Sequence, residues 1–347
     1  MPLSLAATER TWASSERWTH SKLSVAIGSL YEFLARDVTE LLSQSARALA
    51  AHALGTDRVL ITGASGWLGR TALDLLAPLE LPTLALASQA RTIRVGNREV
   101  ECRVWDDRAV AAFAPTVVLD CAFLTRDRVA GMPLAEYVAI NRVLTERLCY
   151  ATMLPDVRLS LTVSSGAAVH PHDALDGRVE DNPYGYLKRE AEHRLAQAAA
   201  ESGAVPVIVR AWSIAGAHMQ KPQNYALGSM IQAAASGAIR ITARQPVYRR
   251  YVLAEELLAL GLAEGGIGPA TIDSGGELVE MSELATRIAA ILRSDAVITR
   301  DEVDPREPDR YHSDGNDWRC RCQTWDLASA SLDSQIEITA RGVLSRA

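Results

Sequence analysis

The sequence predicts an α/β fold, a parallel sheet wound on both faces by helices. Short apolar runs alternate with helical stretches from about residue 57 to residue 215, the order of elements that builds such a sheet. The runs are apolar throughout rather than at every second position, as strands covered on both faces are. The first run passes through three glycines into a helix.

The elements follow in order. Residues 1–54 include LSVAIGSLYEFLARDVTELLSQSARALAAHAL, whose helical spacing predicts one or two amphipathic helices, packed on the body or on a partner subunit. RVLITG is the first strand and TALDLLAPL continues the helix after it. PTLALAS, EVECRVW and PTVVLDCA are the second, third and fourth strands, and LAEYVAINRVLTERLCYATM is a long helix. LSLTVSS and VPVIVRAW supply two more strands. After about residue 216 strands shorten and Pro, Gln and Arg enter. The predicted division is a helical extension (1–54), a dinucleotide-binding domain (55–215) and a smaller C-terminal lobe (216–347) that is mainly substrate-binding and returns some segments to the core.

Composition bounds the function. The chain has 347 residues, 48% hydrophobic and 22% charged, with a net charge of -6. A mildly acidic chain gives no reason to expect nucleic acid or an anionic membrane as partner. No apolar run reaches the roughly 18 residues of a membrane span, and charges interrupt MPLSLAATERTWASSERWTH where a secretory signal needs an apolar core. A cytoplasmic location is the expectation. Cys102, Cys121, Cys149, Cys320 and Cys322 are odd in number and irregularly spaced, so reduced thiols and no metal site are expected.

The glycines are Gly63, Gly66 and Gly69, spaced G-x-x-G-x-x-G between strand and helix. A strand that turns sharply into a helix aims the helix amides at a pyrophosphate, and side chains in the turn would block its approach. Gly63, Ser65, Gly66, Trp67, Leu68 and Gly69 are therefore the candidate cofactor contacts, and the sheet is expected to be of the Rossmann type. The second strand ends near Ser88 with Arg91 just beyond, and no carboxylate stands there to hold an adenosine ribose. A small polar residue and an arginine suit a 2′-phosphate instead, which leans the cofactor from NAD to NADP.

DNPYGYLKREAEHRL carries Tyr184 and Lys188. Four residues apart on a helix, both project from one face. A phenol near pKa 10 is a poor proton-transfer group at neutral pH, and an adjacent ammonium makes its phenolate accessible. Tyr186 has no lysine four residues on. Of 36 basic residues only Lys22, Lys188 and Lys221 are lysine. A lysine kept in an arginine-biased chain points to work that arginine, whose proton does not shift, does poorly. The third catalytic member should be a Ser or Thr ending the preceding strand.

ITGASGWLG, NPYGYLK and LTVSSGAAVH together resemble the extended short-chain dehydrogenase/reductase family, whose corresponding segments include PYGxSK and SSGAVYG. RAWSIAG resembles its RxxNxxGP loop, with Ala211 and Ser213 departing, and YRRYVLAEEL resembles its RDYIHVxDL segment. The resemblance covers roughly residues 57–345, with His312–Trp325 outside the clear match. It implies hydride transfer between a nicotinamide and a secondary alcohol or ketone, with Tyr184 and Lys188 catalytic and Lys188 also on the nicotinamide ribose. It implies Ser165 as the catalytic hydroxyl with Ser164 its neighbour toward substrate, although one extra residue in LTVSSGAAVH leaves Gly166 as a competing alignment. It places Asp106 near the adenine, Arg249 at a substrate pyrophosphate, and Asn141 on the helix before the active-site strand. The implied substrate is a nucleotide-linked sugar and the implied assembly a homodimer through two helices of the cofactor domain. Sugar 4,6-dehydratases carry an Asp-Glu pair where this chain has Gly166 and Ala167, which disfavours dehydration. A ketoreductase or a 4-epimerase remains, beside a reductase of lipid, flavonoid or polyketide ketones and a dinucleotide-binding regulator without turnover.

Overall fold

The computed structural model describes residues 44–169, 177–301, 304 and 307–346. The helices expected before residue 44 lie outside them.

The central sheet has six parallel strands: β1 (Val59–Thr62), β2 (Thr83–Ala85), β5 (Val117–Asp120), β6 (Leu159–Ser165), β7 (Val205–Ala211) and β11 (Ala270–Asp273), in the order β11-β7-β6-β5-β1-β2. Alternate residues divide between two cores, as the period of a strand requires. Ile61, Leu119, Leu161 and Val209 join one cluster with Leu257 and Leu260, whereas Leu60, Val118 and Ile208 join another with Leu148 and Leu195. Each core is roofed by helices. α2 (Trp67–Leu76) and α7 (Ala254–Glu264) cover the first, and α4 (Leu134–Thr152) and α5 (Pro183–Ser202) the second. This is the doubly wound, Rossmann-type sheet expected from the sequence.

α1 (Gln44–Ala53) packs on α7 through the buried Ala46, Leu49 and Ala50, so the helix is part of the first core. EVECRVW meets the parallel sheet only at Arg103. β4 (Arg98–Cys102) pairs antiparallel with β3 (Arg91–Val95) in a two-stranded ribbon. A bridge between Leu86 and Arg103 attaches the ribbon to the sheet edge. Gly96 adopts φ +56° in the turn between Val95 and Arg98, and that short reversal closes a hairpin where a third parallel strand would need a long crossover.

Past α3 (Asp107–Phe113) and the strands above, the remaining elements are β8 (Ile214–Ala215), α6 (Ala226–Ala235), β9 (Ala238–Ile241), β10 (Val247–Leu253), β12 (Glu277–Glu280), α8 (Met281–Ile291), β13 (Val297–Arg300), β14 (Asp309–Arg310), α9 (Asn316–Thr324) and α10 (Leu332–Leu344). β10 pairs with β8, β12 and β14, and β9 pairs with β13. The segment beyond residue 216 also returns β11 and α7 to the central sheet. Among the described residues no helix is long and apolar enough to cross a membrane, and no cluster of three His, Cys, Asp or Glu side chains is placed to hold a metal ion.

Candidate active site

The glycine turn links β1 to α2. Gly63 has φ +62°, and a Cβ there would lie 2.6 Å from the Cys121 carbonyl oxygen. A Cβ at Gly69 would lie 2.3 Å from the Gly63 carbonyl oxygen. Both positions therefore require glycine. Ala64 N–H donates to the Leu86 carbonyl at 2.9 Å, tying the turn to the end of β2. Gly66 caps α2 with no side-chain acceptor for the first amides, which leaves them for an anion. Trp67 is buried against Tyr225, and its indole N–H has no partner among the described residues. A cradle that any Cβ would fill, opening on uncapped amides, fits a dinucleotide pyrophosphate.

Ser88 is exposed at the end of β2, and Arg91 opens β3 with its guanidinium on the Gln89 side-chain oxygen at 2.7 Å. Leu68 is half-buried in the first turn of α2. Asp106 caps α3 by accepting from Ala109 N–H at 2.8 Å.

The catalytic candidates converge where β6 ends. α5 starts at Pro183 because Asn182 caps it, accepting from Gly185 N–H at 3.2 Å, and proline suits the first helical position. Tyr184 and Lys188 thus occupy its first turns. The Ser165 hydroxyl lies 3.1 Å from the Tyr311 hydroxyl and accepts from Ala167 N–H at 3.2 Å. Burial pushes the Tyr184 phenol above its ordinary pKa, while a hydrogen bond with Ser165 pulls it down. Lys188 is 6% exposed. Its ammonium donates to the Val163 carbonyl at 2.6 Å and lies 3.8 Å from the centre of the Phe123 ring. Burial lowers its pKa to about 8, against the pull of Asp120 and Glu192. Asp120 accepts from Thr62 at 2.5 Å and Thr162 at 2.9 Å.

Neighbours on a strand point to opposite sides, and Ser164 and Ser165 do. Ser164 is buried and donates its hydroxyl to the Glu192 carboxylate. Glu192 also holds Arg210 through two bonds, at 3.0 and 2.7 Å. The structure therefore brings Ser165 together with Tyr184 and ties Ser164 into an internal network. Arg249 forms a two-pronged ion pair with Asp309, both bonds at 2.9 Å, so its anion-binding fork is engaged. Asn141 is fully buried and accepts from Leu124 N–H at 2.8 Å, a fastening for the loop after β5.

Three aromatic residues at the site were not anticipated. Phe123 stands over Lys188 and edge-on to Tyr184. Tyr311 touches Ser165 and packs on Trp212. Trp212 covers Gly166, where a Cβ would fall 2.2 Å from its ring. Phe123 was available as an aromatic residue just past a strand end. Tyr311 had no local signal.

A parallel sheet with a glycine turn at its first strand and a Ser, Tyr and Lys at a later strand end defines a dinucleotide-dependent oxidoreductase architecture. The profile of the NAD dependent epimerase/dehydratase family matches residues 59–257, and the chain belongs to that family as an NAD(P)-dependent enzyme of the short-chain dehydrogenase/reductase type. No curated protein sequence matches it. Among solved structures, UDP-glucose 4-epimerase from Brucella ovis in complex with NAD is 19% identical, with 82% of this chain and 97% of that chain covered and a TM-score of 0.65. UDP-glucose 4-epimerase from Thermotoga maritima with UDP-glucose is 16% identical over 83% and 99%, TM-score 0.67. UDP-N-acetylglucosamine 4-epimerase from Methanobrevibacter ruminantium in complex with UDP-N-acetylmuramic acid is 15% identical over 85% and 100%, TM-score 0.68. At these identities the likeness is one of fold.

Proposed function

We propose that the protein is a ketoreductase or 4-epimerase of a nucleotide-linked sugar, with Tyr184 as its proton-transfer group. The observation that carries this is the Tyr184 phenol beside the Ser165 hydroxyl, with the Lys188 ammonium one helical turn on. The UDP-sugars in the neighbouring structures support the substrate class. Gly166 supports the choice of reaction, since Trp212 leaves no room there for the side chain of a dehydratase aspartate.

When bound, the nicotinamide gives or takes the hydride. The Ser165 hydroxyl orients the substrate oxygen toward Tyr184. In reduction Tyr184 Oη donates its proton to that oxygen, and in oxidation it takes the proton back. Lys188 favours the phenolate that forms, because an ammonium in apolar surroundings acts on a neighbouring charge with little screening. The Tyr311 hydroxyl occupies one bonding direction of Ser165, so a substrate oxygen displaces it.

NADP is the proposed cofactor. No carboxylate follows β2, Ser88 is open, and Arg91 meets no carboxylate among the described residues. A homodimer through α4 and α5 is proposed from the apolar residues α4 leaves exposed. One observation favours a second reading, a dinucleotide binder without turnover: Phe123 and Tyr311 stand against Lys188 and Ser165.

The test incubates the purified chain with UDP-glucose, UDP-galactose, UDP-N-acetylglucosamine and a UDP-4-ketosugar, each with NADH and NADPH, and follows nicotinamide absorbance and product sugars. Turnover that falls roughly 100-fold or more in Tyr184→Phe supports the proposal. Undiminished turnover in that variant sinks the mechanism, and tight cofactor binding with no turnover on any sugar supports the second reading.

A further inference from the structure

A pocket of about 400 Å³ lies behind the glycine turn, between Arg70 on α2, the Met219–Pro222 segment, Gln232 on α6 and Arg346 beyond α10. Every charged side chain lining it is cationic: Arg70, Lys221 and Arg346. That is unexpected in a chain of net charge -6.

Among the described residues, the two guanidinia are held only by main-chain oxygens. Arg70 donates to the carbonyls of Ser65 at 3.1 Å and Arg94 at 2.8 Å. Arg346 donates to those of Ala217 at 3.0 Å and Met219 at 2.7 Å. Neither meets a carboxylate among the described residues, whereas Lys221 pairs with Asp127 at 3.0 Å. Burial, with Arg70 nearby, pushes Arg346 below its ordinary pKa, and burial, with Arg91 nearby and partly offset by Cys102, does the same to Arg70. Arg70 is half-buried and Arg346 is exposed, and like charges gathered without a counterion repel. An arginine fork that keeps N–H donors free is built for a planar or tetrahedral oxyanion.

We propose that this pocket binds a phosphate group, gripped by Arg70 and Arg346, with Lys221 and Gln232 at its rim. The same chemistry has two sources: the adenosine 2′-phosphate of NADP, or a separate phosphorylated compound. The site is tied to the cofactor turn, because the Ser65 carbonyl accepts from both Arg70 and Gln220, the latter at 2.8 Å. A phosphate that draws Arg70 toward the pocket loosens its hydrogen bond to that shared carbonyl and alters the turn.

The experiment is calorimetric titration of the full chain with inorganic phosphate, NADP and NAD, at fixed ionic strength set with chloride. Wild type and Arg346→Gln are compared, with Arg70→Gln as a second variant and a melting curve for each. Phosphate binding that weakens about tenfold or more in Arg346→Gln, at unchanged melting temperature, is expected. If NADP affinity falls with it and NAD affinity does not, the source is the 2′-phosphate. If both dinucleotides bind unchanged while phosphate is lost, the source is a separate compound. Wild type that takes up no phosphate and binds NADP as well as both variants do overturns the inference. Should either variant melt early, the wild-type phosphate titration alone decides. The pocket excludes the catalytic pair, so phosphate binding without turnover counts only against the proposed reaction, and turnover without phosphate binding only against this site.

Discussion

Lys188 holds a proton in surroundings that oppose it. Burial brings its pKa to about 8, and the ammonium is fixed by the Val163 carbonyl under the Phe123 ring. On the proposed mechanism the ammonium supports the Tyr184 phenolate below that pH, and above it the support is lost. The rate of ketone reduction should therefore be level below pH 8 and decline as pH rises through about 8. Lys188→Arg, which keeps its charge throughout, should remove that decline even where the bulkier fork lowers the rate. A wild-type reduction rate flat to pH 10 would count against this role. The pair was legible in the sequence because its logic is local: four residues on one helix, and one of three lysines in the chain. Ser165 was legible but ambiguous, and only strand alternation in three dimensions separates it from Ser164. Tyr311 was not legible, since 146 residues lie between it and Ser165 and no periodicity links them.

At the scale of elements, α7 opens with two fully buried carboxylates. Glu256 accepts from Ala330 N–H at 2.7 Å and Ser329 at 3.0 Å. Among the described residues the Glu255 oxygens find no donor beyond their own main-chain N–H. Burial, with Glu256 and Asp74 nearby and only partly offset by Arg47 on α1, pushes Glu255 up to about 8. Its folded pKa thus exceeds its unfolded value, ordinarily about 4.5. The folded chain holds a proton the unfolded one has lost, so this contribution to stability is full below about pH 4.5 and is lost as pH rises to about 8. Glu255→Gln should stabilise the protein by on the order of 1–3 kcal/mol at pH 8 and little at pH 4. Denaturant melts at the two pH values check this, and an equal change at both would refute it. The helix itself was half visible in YRRYVLAEEL, but that its acids lie buried was not, because charged residues at a helix start ordinarily face water. EVECRVW misled for a related reason. Its β propensity was genuine, and partner choice rested on a hairpin turn at Gly96 that apolar content alone does not reveal.

At the scale of the molecule, α4 and α5 form one outer layer. They are joined by Arg142 on Glu190, two bonds at 3.0 Å, and by the Cys149 thiol on the Arg194 carbonyl at 3.5 Å. α4 nevertheless leaves Val143 44% and Tyr150 37% exposed on one face, with Met153 51% exposed at its end. Scattered apolar residues at a surface are ordinary, but Val143 and Tyr150 are seven residues apart and align along the helix. A second copy laying its own α4 across this stripe would bury it symmetrically. Light scattering of the full chain should then give twice the 37.6 kDa chain mass, and Val143→Glu should shift it toward the monomer by placing like charges opposite each other across the two-fold axis. A dimer that survives Val143→Glu would move the contact elsewhere, and residues 1–43 become the segment to remove next. The cut belongs at residue 43 rather than 54, because Ala46 and Ala50 of α1 are fully buried and removing them would open the first core instead of testing the interface.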